Sequence, residues 1–376
     1  MQSNKLRMAI RATAAVAVFG MAGHASAVSF DAGGWNTSIY GYASLKASYD
    51  IDENAASSTR SFNYNAINVG AAENNEPTGY FGADAFQSRI GVKTTSTEGV
   101  TFNVEGDFRG GGGGSLRLRH AYGSYNGVLA GQTWSNFTSF VGSTSTLDFD
   151  SLPGLAGYQS RTAQLRYTTG PFSFSAEQPQ NSLAGGAKKD GMPALTARIE
   201  DSSGGMSYSA AVLAQQVGYD TGTTDDSTMG FATFVAGRIA VSDMITLQGT
   251  LSYTDGASSY LYRSGTASAY VDGSGDVEAI SGYGGSIGAG FNIGNGRSIN
   301  IGYGMVEVDL DDAVADSGGA ITAGDTESVS AVMANYKWTP VKNVMMGVEY
   351  QYGMREVQNG DDGDASRLLF AAQYNF

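Results

Sequence analysis

From Trp35 to Phe376 the chain alternates apolar and polar positions with a period of two. In one stretch Val344, Met346, Val348, Tyr350 and Tyr352 alternate with Met345, Gly347, Glu349, Gln351 and Gly353. In another Ile39, Gly41, Ala43, Leu45, Ala47 and Tyr49 alternate with Tyr40, Tyr42, Ser44, Lys46 and Ser48. At the end of the chain Leu368, Phe370, Ala372, Tyr374 and Phe376 share a face, and Arg367, Gln373 and Asn375 share the other. Successive side chains of a strand point to opposite faces, so each stretch predicts a strand with one apolar and one wet side.

Seven tight turns punctuate the pattern: Glu98-Gly99, Asn126-Gly127, Gly170-Pro171, Ser203 to Gly205, Ser242-Asp243, Asn295-Gly296 and Val341 to Asn343. Eight longer connections fall between them, at about 50–82, 110–114, 137–160, 181–191, 218–227, 257–277, 311–325 and 356–364. Short turns at one rim and long loops at the other are the habit of outer-membrane barrels. The count predicts an all-β fold, a closed barrel of sixteen antiparallel transmembrane strands. An aromatic end on an alternating strand, Phe376 with Tyr374, is expected to act as an assembly signal for barrel-assembly machinery.

Composition adds the route to the membrane. Lys5, Arg7 and Arg11 precede an apolar run from Ala12 to Ala22, and Ala25-Ser26-Ala27 is a small-residue cleavage site. Residues 1–27 therefore read as a secretory signal and 28–376 as one barrel domain. The run is too short for a spanning helix, which needs about 20 apolar residues. With 53 Gly, 21 Tyr, 17 Phe and 6 Pro, the chain suits many strands anchored by interfacial aromatics. There is no cysteine, so disulfides and Cys-ligated metals are excluded. No cofactor and no metal are expected.

Removing the signal removes three basic residues, so the formal charge falls from −14 to −17. That balance argues against a nucleic-acid partner. The acid gathers in the outer loops, at Asp220, Asp225, Asp226, Asp309, Asp311, Asp312, Asp316, Asp361, Asp362 and Asp364. Outer-membrane lipid and lipopolysaccharide are the expected surroundings, and a divalent-cation bridge between these loops and lipopolysaccharide stands against the plainer reading of solvated surface.

Strand phase sends the arginines inward. Arg89, Arg117, Arg119, Arg166, Arg198, Arg238 and Arg367 all fall on predicted lumen faces, where a charge avoids the cost of about 2–4 kcal/mol it would meet in lipid. An arginine-lined constriction offers forks to carboxylate or phosphate groups. The competing role is to pair with lumenal Glu105, Asp107, Glu177, Glu200 and Glu349 and hold the wall in register. For Arg117, Arg119 and Arg166 on neighbouring strands, the local positive excess favours the constriction. The loop 137–160 is expected to fold inward, with Asp148 and Asp150 opposing the arginines across a transverse field.

At this point the residues resemble a known family. Ala85-Phe86-Gln87-Ser88-Arg89-Ile90-Gly91, Val104 to Phe108, Leu116 to Gly123, Leu129 to Ser135 and Thr146 to Phe149 are similar, in this order, to motifs of the DcaP-like outer-membrane porins. The resemblance implies a homotrimeric channel for small anionic solutes such as dicarboxylates, with Arg89, Arg117, Arg119 and Arg166 on the pore. Some members carry a helical segment before the barrel, and only Val28 to Gly34 stand there in this chain. A trimer is then expected to form through barrel walls.

Two other classes compete. An outer-membrane hydrolase needs an activated nucleophile and a base, and the mature chain has a single histidine, His120, which strand phase places outward beside Leu118 and Tyr122. That placement favours a packing role, and no catalytic residues are assigned. A structural or adhesive barrel would have a filled lumen, whereas Gly282, Gly284, Ser286, Asn300, Gly302 and Gly304 are expected to leave room for water. A general non-selective porin remains the nearest alternative.

Overall fold

The computed structural model describes residues 27–52, 59–73 and 78–376. The expected export signal lies outside these residues except for Ala27.

Sixteen strands form the wall. They are β1 Trp35–Asp50, β2 in two segments, Tyr80–Asp84 and Arg89–Ser96, β3 Thr101–Gly110, β4 Ser115–Tyr125, β5 Val128–Trp134 and β6 Arg161–Thr169. There follow β7 Phe172–Glu177, β8 Ala194–Ser203, β9 Met206–Asp220, β10 Asp225–Ala240 and β11 Ile245–Asp255. The last are β12 Ser281–Gly294, β13 Arg297–Val308, β14 Thr326–Val341, β15 Val344–Val357 and β16 Asp362–Asn375. Neighbours pair antiparallel in chain order, and β16 returns to β1 with Tyr42 opposite Asn375 and Asp50 opposite Arg367. The sheet is closed, so no edge strand is left open to lipid.

All seven predicted turns are present, and the two Asn-Gly turns show why they are tight. Asn126 and Gly127 have φ of 49° and 82°, and Asn295 and Gly296 have 53° and 70°, the paired positive values that match the twist of a hairpin. An additional strand, Val28–Ala32, folds back along the edge of β1 that β16 leaves free, with Val28 opposite Ile39.

The outward face is mainly apolar. Leu116, Leu251 and Ile287 are each about two-thirds exposed on the isolated barrel (68%, 67% and 66%), a waste of burial in water but the requirement of a lipid-facing wall. The inward face carries Ser44, Lys46, Ser48, Gln248, Thr250, Glu349 and Gln351, all buried.

What buries them is loop. The eight outer loops are L1 to L8 in chain order, and L1, L3, L6 and L7 fold into the barrel. Phe62, Tyr64 and Ile67 of L1, Leu152 of L3, Leu261 of L6, and Leu310, Ala313 and Ile321 of L7 pack on Val306, Val329, Ala331 and Met333 of the wall. L7 contains a one-and-a-half-turn helix, Asp311–Asp316.

Candidate functional site

L3 runs from the end of β5 to the start of β6 along the inside of the barrel. At its root Ser135 Oγ and the Asn136 amide donate to the Glu177 carboxylate, each at 2.6 Å. Farther on, Thr250 Oγ1 of β11 donates to Gly154 O at 2.6 Å. L1 then braces the loop: the Phe62 amide donates to Asp148 Oδ2 at 2.7 Å, the Phe149 amide to Arg60 O at 3.0 Å, and Arg60 pairs with Asp150 at 2.6 Å. Burial disfavours the Asp150 carboxylate, yet Arg60 and Arg263 hold its carboxyl below the usual range.

Across from this loop stands a wall of arginines on β2 to β6. Asp107 takes Arg117 in a two-pronged pair at 3.0 and 2.6 Å and also receives Arg119 at 3.2 Å. Glu105 takes Arg119 at 2.6 Å and Arg89 at 3.4 Å. Arg109 reaches Asp84 at 3.2 Å and Gln87 at 2.5 Å. Arg161, at the start of β6, lies 4.6 Å above the Trp134 ring and near Arg119, Arg117, Arg60 and Arg89. Among the described residues it forms no ion pair. Phe149, carried by L3, is met by Arg60, Arg119 and Arg89 with guanidinium carbons 5.0, 5.3 and 5.8 Å from its ring centre. Around this point stand six guanidinium groups, five of them bridged to four carboxylates, Asp84, Glu105, Asp107 and Asp150, and Arg161 beside them, an excess of two positive charges.

The remaining predicted arginines are spread out. Arg166 on β6 donates to Gln164 Oε1 at 2.8 Å and to the Trp134 carbonyl at 2.5 Å, with no carboxylate bridge among the described residues. Arg198 on β8 holds the Thr138 carbonyl at the base of L3 and lies 4.0 Å from Glu200. Arg238 points inward near the short-turn rim, well away from this group in the barrel wall. Arg117, at 31% side-chain exposure, is the most open of the bridged arginines, while Arg119 is at 1%.

Five expectations need correction. Arg367 does not line open water: it is fully buried beneath L1, paired with Asp50 at 3.2 Å and donating to Ser61 O at 3.0 Å. Glu177 bridges no arginine among the described residues and instead anchors the L3 root. Asp148 and Asp150 do not stand free opposite the arginines, because Arg60, Arg263, Gln351 and the amides of L1 and L3 take them up. His120 faces inward, not outward. A β-bulge pairs Glu105 with His120 and Gly106 with Leu118, so the extra residue Arg119 reverses the phase, and His120 bonds Thr133 Oγ1 at 2.9 Å. The small residues of β12 and β13 leave room for loops, not water. A Cβ at Gly302 would come within 2.7 Å of Leu152, one at Gly304 within 3.0 Å of Leu152, and one at Gly282 within 3.0 Å of Leu261.

Three arginines of the site escaped the sequence reading. Arg109 was available to it, since it shares the odd-numbered inward phase of Glu105 and Asp107. Arg60 and Arg161 were not, because one lies in L1 and the other at the junction of L3 with β6, where alternation carries no signal.

The comparisons agree with the fold. Residues 24–181 match the model of the DcaP outer membrane protein family. Among solved structures, the outer membrane channel DcaP of Acinetobacter baumannii superposes with a TM-score of 0.79 at 28% identity, over 92% of this chain and 99% of that one. OmpT of Vibrio cholerae superposes at 0.59 with 12% identity over 93% and 100%, and an anion-selective porin from Comamonas acidovorans at 0.57 with 12% identity over 91% and 100%. These two share the fold alone. No curated protein matches the sequence. With its match to the DcaP family model across the arginine wall and L3, and its sixteen-stranded closed fold, the chain is an outer-membrane β-barrel of porin type that resembles the DcaP channel.

Proposed function

We propose that the barrel is a passive diffusion channel that favours small anionic organic solutes, dicarboxylates among them, and that selection occurs where L3 faces the arginine wall. One observation carries the reading: among the described residues six guanidinium groups stand there with four bridging carboxylates, and Arg161 forms no ion pair. In a narrow passage with low-dielectric walls, the lining and not the distant loops sets the field a solute feels. Planar guanidinium forks suit carboxylates better than point charges do. Arg166 adds a further cation, although Glu177 and Glu200 lie in its surroundings.

A non-selective porin is the second reading, and those two carboxylates favour it. We further propose a homotrimer, the state that the DcaP-like resemblance implies. Reversal potentials in planar bilayers under a salt gradient separate the two selectivity readings. Anion preference is expected, falling toward zero in Arg161→Ala with Arg166→Ala. A cation-preferring parent channel overturns the proposal, and a reversal potential near zero favours the non-selective one. Swelling of liposomes in dicarboxylate against neutral sugar of similar size then ranks the solutes.

A further inference from the structure

The far end of L3 sits in a polar socket built by strands on the opposite side of the barrel from its root. Residues Ser145 to Asp148 present a run of backbone groups, and each meets a buried side chain. Asn335 Nδ2 donates to Ser145 O at 2.8 Å, Lys337 Nζ to Thr146 O at 2.8 Å, and Lys46 Nζ to Leu147 O at 2.5 Å. The amides of Leu147 and Asp148 donate to Glu349 Oε2 and Oε1 at 2.6 and 3.0 Å. Lys337 Nζ also reaches Ser145 Oγ at 2.8 Å. Glu349 is completed by Asn335 at 2.9 Å and Gln351 at 2.8 Å.

Apolar contacts finish the seat. Leu147 packs on Leu369 and Ala371 of β16, and a Cβ at Gly347 would come within 2.9 Å of Leu147. Lys46, Asn335, Lys337, Glu349 and Gln351 are all buried. A buried lysine or carboxylate is costly unless its bonds are complete, and here the completing groups are loop backbone. The socket therefore depends on L3 as much as L3 depends on it.

We infer that Lys46, Lys337 and Glu349 are positioning residues of the channel: by seating the L3 tip they hold Phe149 against Arg60, Arg89 and Arg119 and so set the size of solute admitted. The sign of the solute is set separately, by the arginine wall, whereas the side chains of these residues bond the backbone of the L3 tip. The assignment rests on the channel reading above, and the two fail in different experiments.

The test uses the full chain refolded into bilayers and liposomes, with Lys337→Met, Lys46→Met with Lys337→Met, and Glu349→Gln. Conductance is expected to rise about twofold and larger neutral oligosaccharides to enter. The sign of the reversal potential is expected to stay that of the parent, and Lys337→Arg is expected to restore the parent size limit. Because the chain has no cysteine, Ser143→Cys reports the loop directly. Its labelling by a membrane-impermeant thiol reagent is expected to be slow in the parent background and fast in the socket variants. Equal labelling rates, or a size limit unchanged in folded variants, overturns the socket. A parent protein that does not conduct while labelling still differs overturns the channel reading and leaves the socket standing.

Discussion

Asp107 answers two guanidinium groups at once, Arg117 through both oxygens and Arg119 through one, and is itself without exposure. Its carboxylate therefore removes one positive charge from the wall and keeps two side chains extended. Asp107→Asn preserves the shape and removes the charge. Two opposite effects are expected from it. Anion preference rises in reversal-potential measurements, because the wall gains a net positive charge. Stability in urea falls by about 3 kcal/mol, because a buried pair has lost one partner. A variant as stable as the parent would show that Arg117 and Arg119 need no internal counter-charge. Phe149 belongs to the same residue-scale logic: its ring face is attractive to three guanidinium groups, which lets an arginine cluster sit together without complete pairing.

At the scale of elements, the strands were legible and their contents were not. Period-two alternation and the Asn-Gly and Gly-Pro turns place all sixteen strands because both signals are local, as in Ile39 to Tyr49 against Asn126-Gly127. The inward loops leave no local trace. Leu147 meets Glu349 some two hundred positions away, and nothing in Gly302 tells whether water or Leu152 fills the space beside it. The bulge at Arg119 defeated the phase for His120 for a related reason, since one inserted residue looks like ordinary alternation until its partner strand is known. The L1–L3 brace carries a pH prediction. Burial raises and Arg60 with Arg263 more than reverse the Asp150 shift, so its folded carboxyl titrates below the ordinary value of 3.8. A depressed acid contributes stability that is present above its unfolded value and is lost as pH falls through the folded one. Single-channel noise is thus expected to stay flat from neutral pH to about 4 and to grow below that. Asp150→Asn is expected to show the acid-level noise already at neutral pH; a parent trace that becomes noisy between pH 7 and 5 contradicts the assignment to this carboxylate.

The whole barrel is uneven in height, and that has a consequence for assembly. Strands β9 and β10 run 15 and 16 residues, whereas β5 and β7 run only 7 and 6. At about 3.4 Å per residue and a tilt of about 40°, seven residues rise roughly 18 Å. The apolar band of an outer-membrane barrel is about 25 Å tall, so the wall at β5 to β7 is too low to meet lipid alone. Above it begin L3 and L4, with polar backbone that hydrocarbon cannot satisfy. Covering this sector with other copies of the chain removes the mismatch, and Leu165 at 58% exposure and Phe174 at 51% supply apolar contacts for it. Leu251 on β11, at 67%, lies on the tall side and should face lipid. A fluorophore on Leu251→Cys is accordingly expected to be quenched strongly by brominated lipid, and one on Leu165→Cys weakly. Equal quenching at the two positions would mean that the low wall meets lipid after all, and the proposed trimer would then have to form through another face.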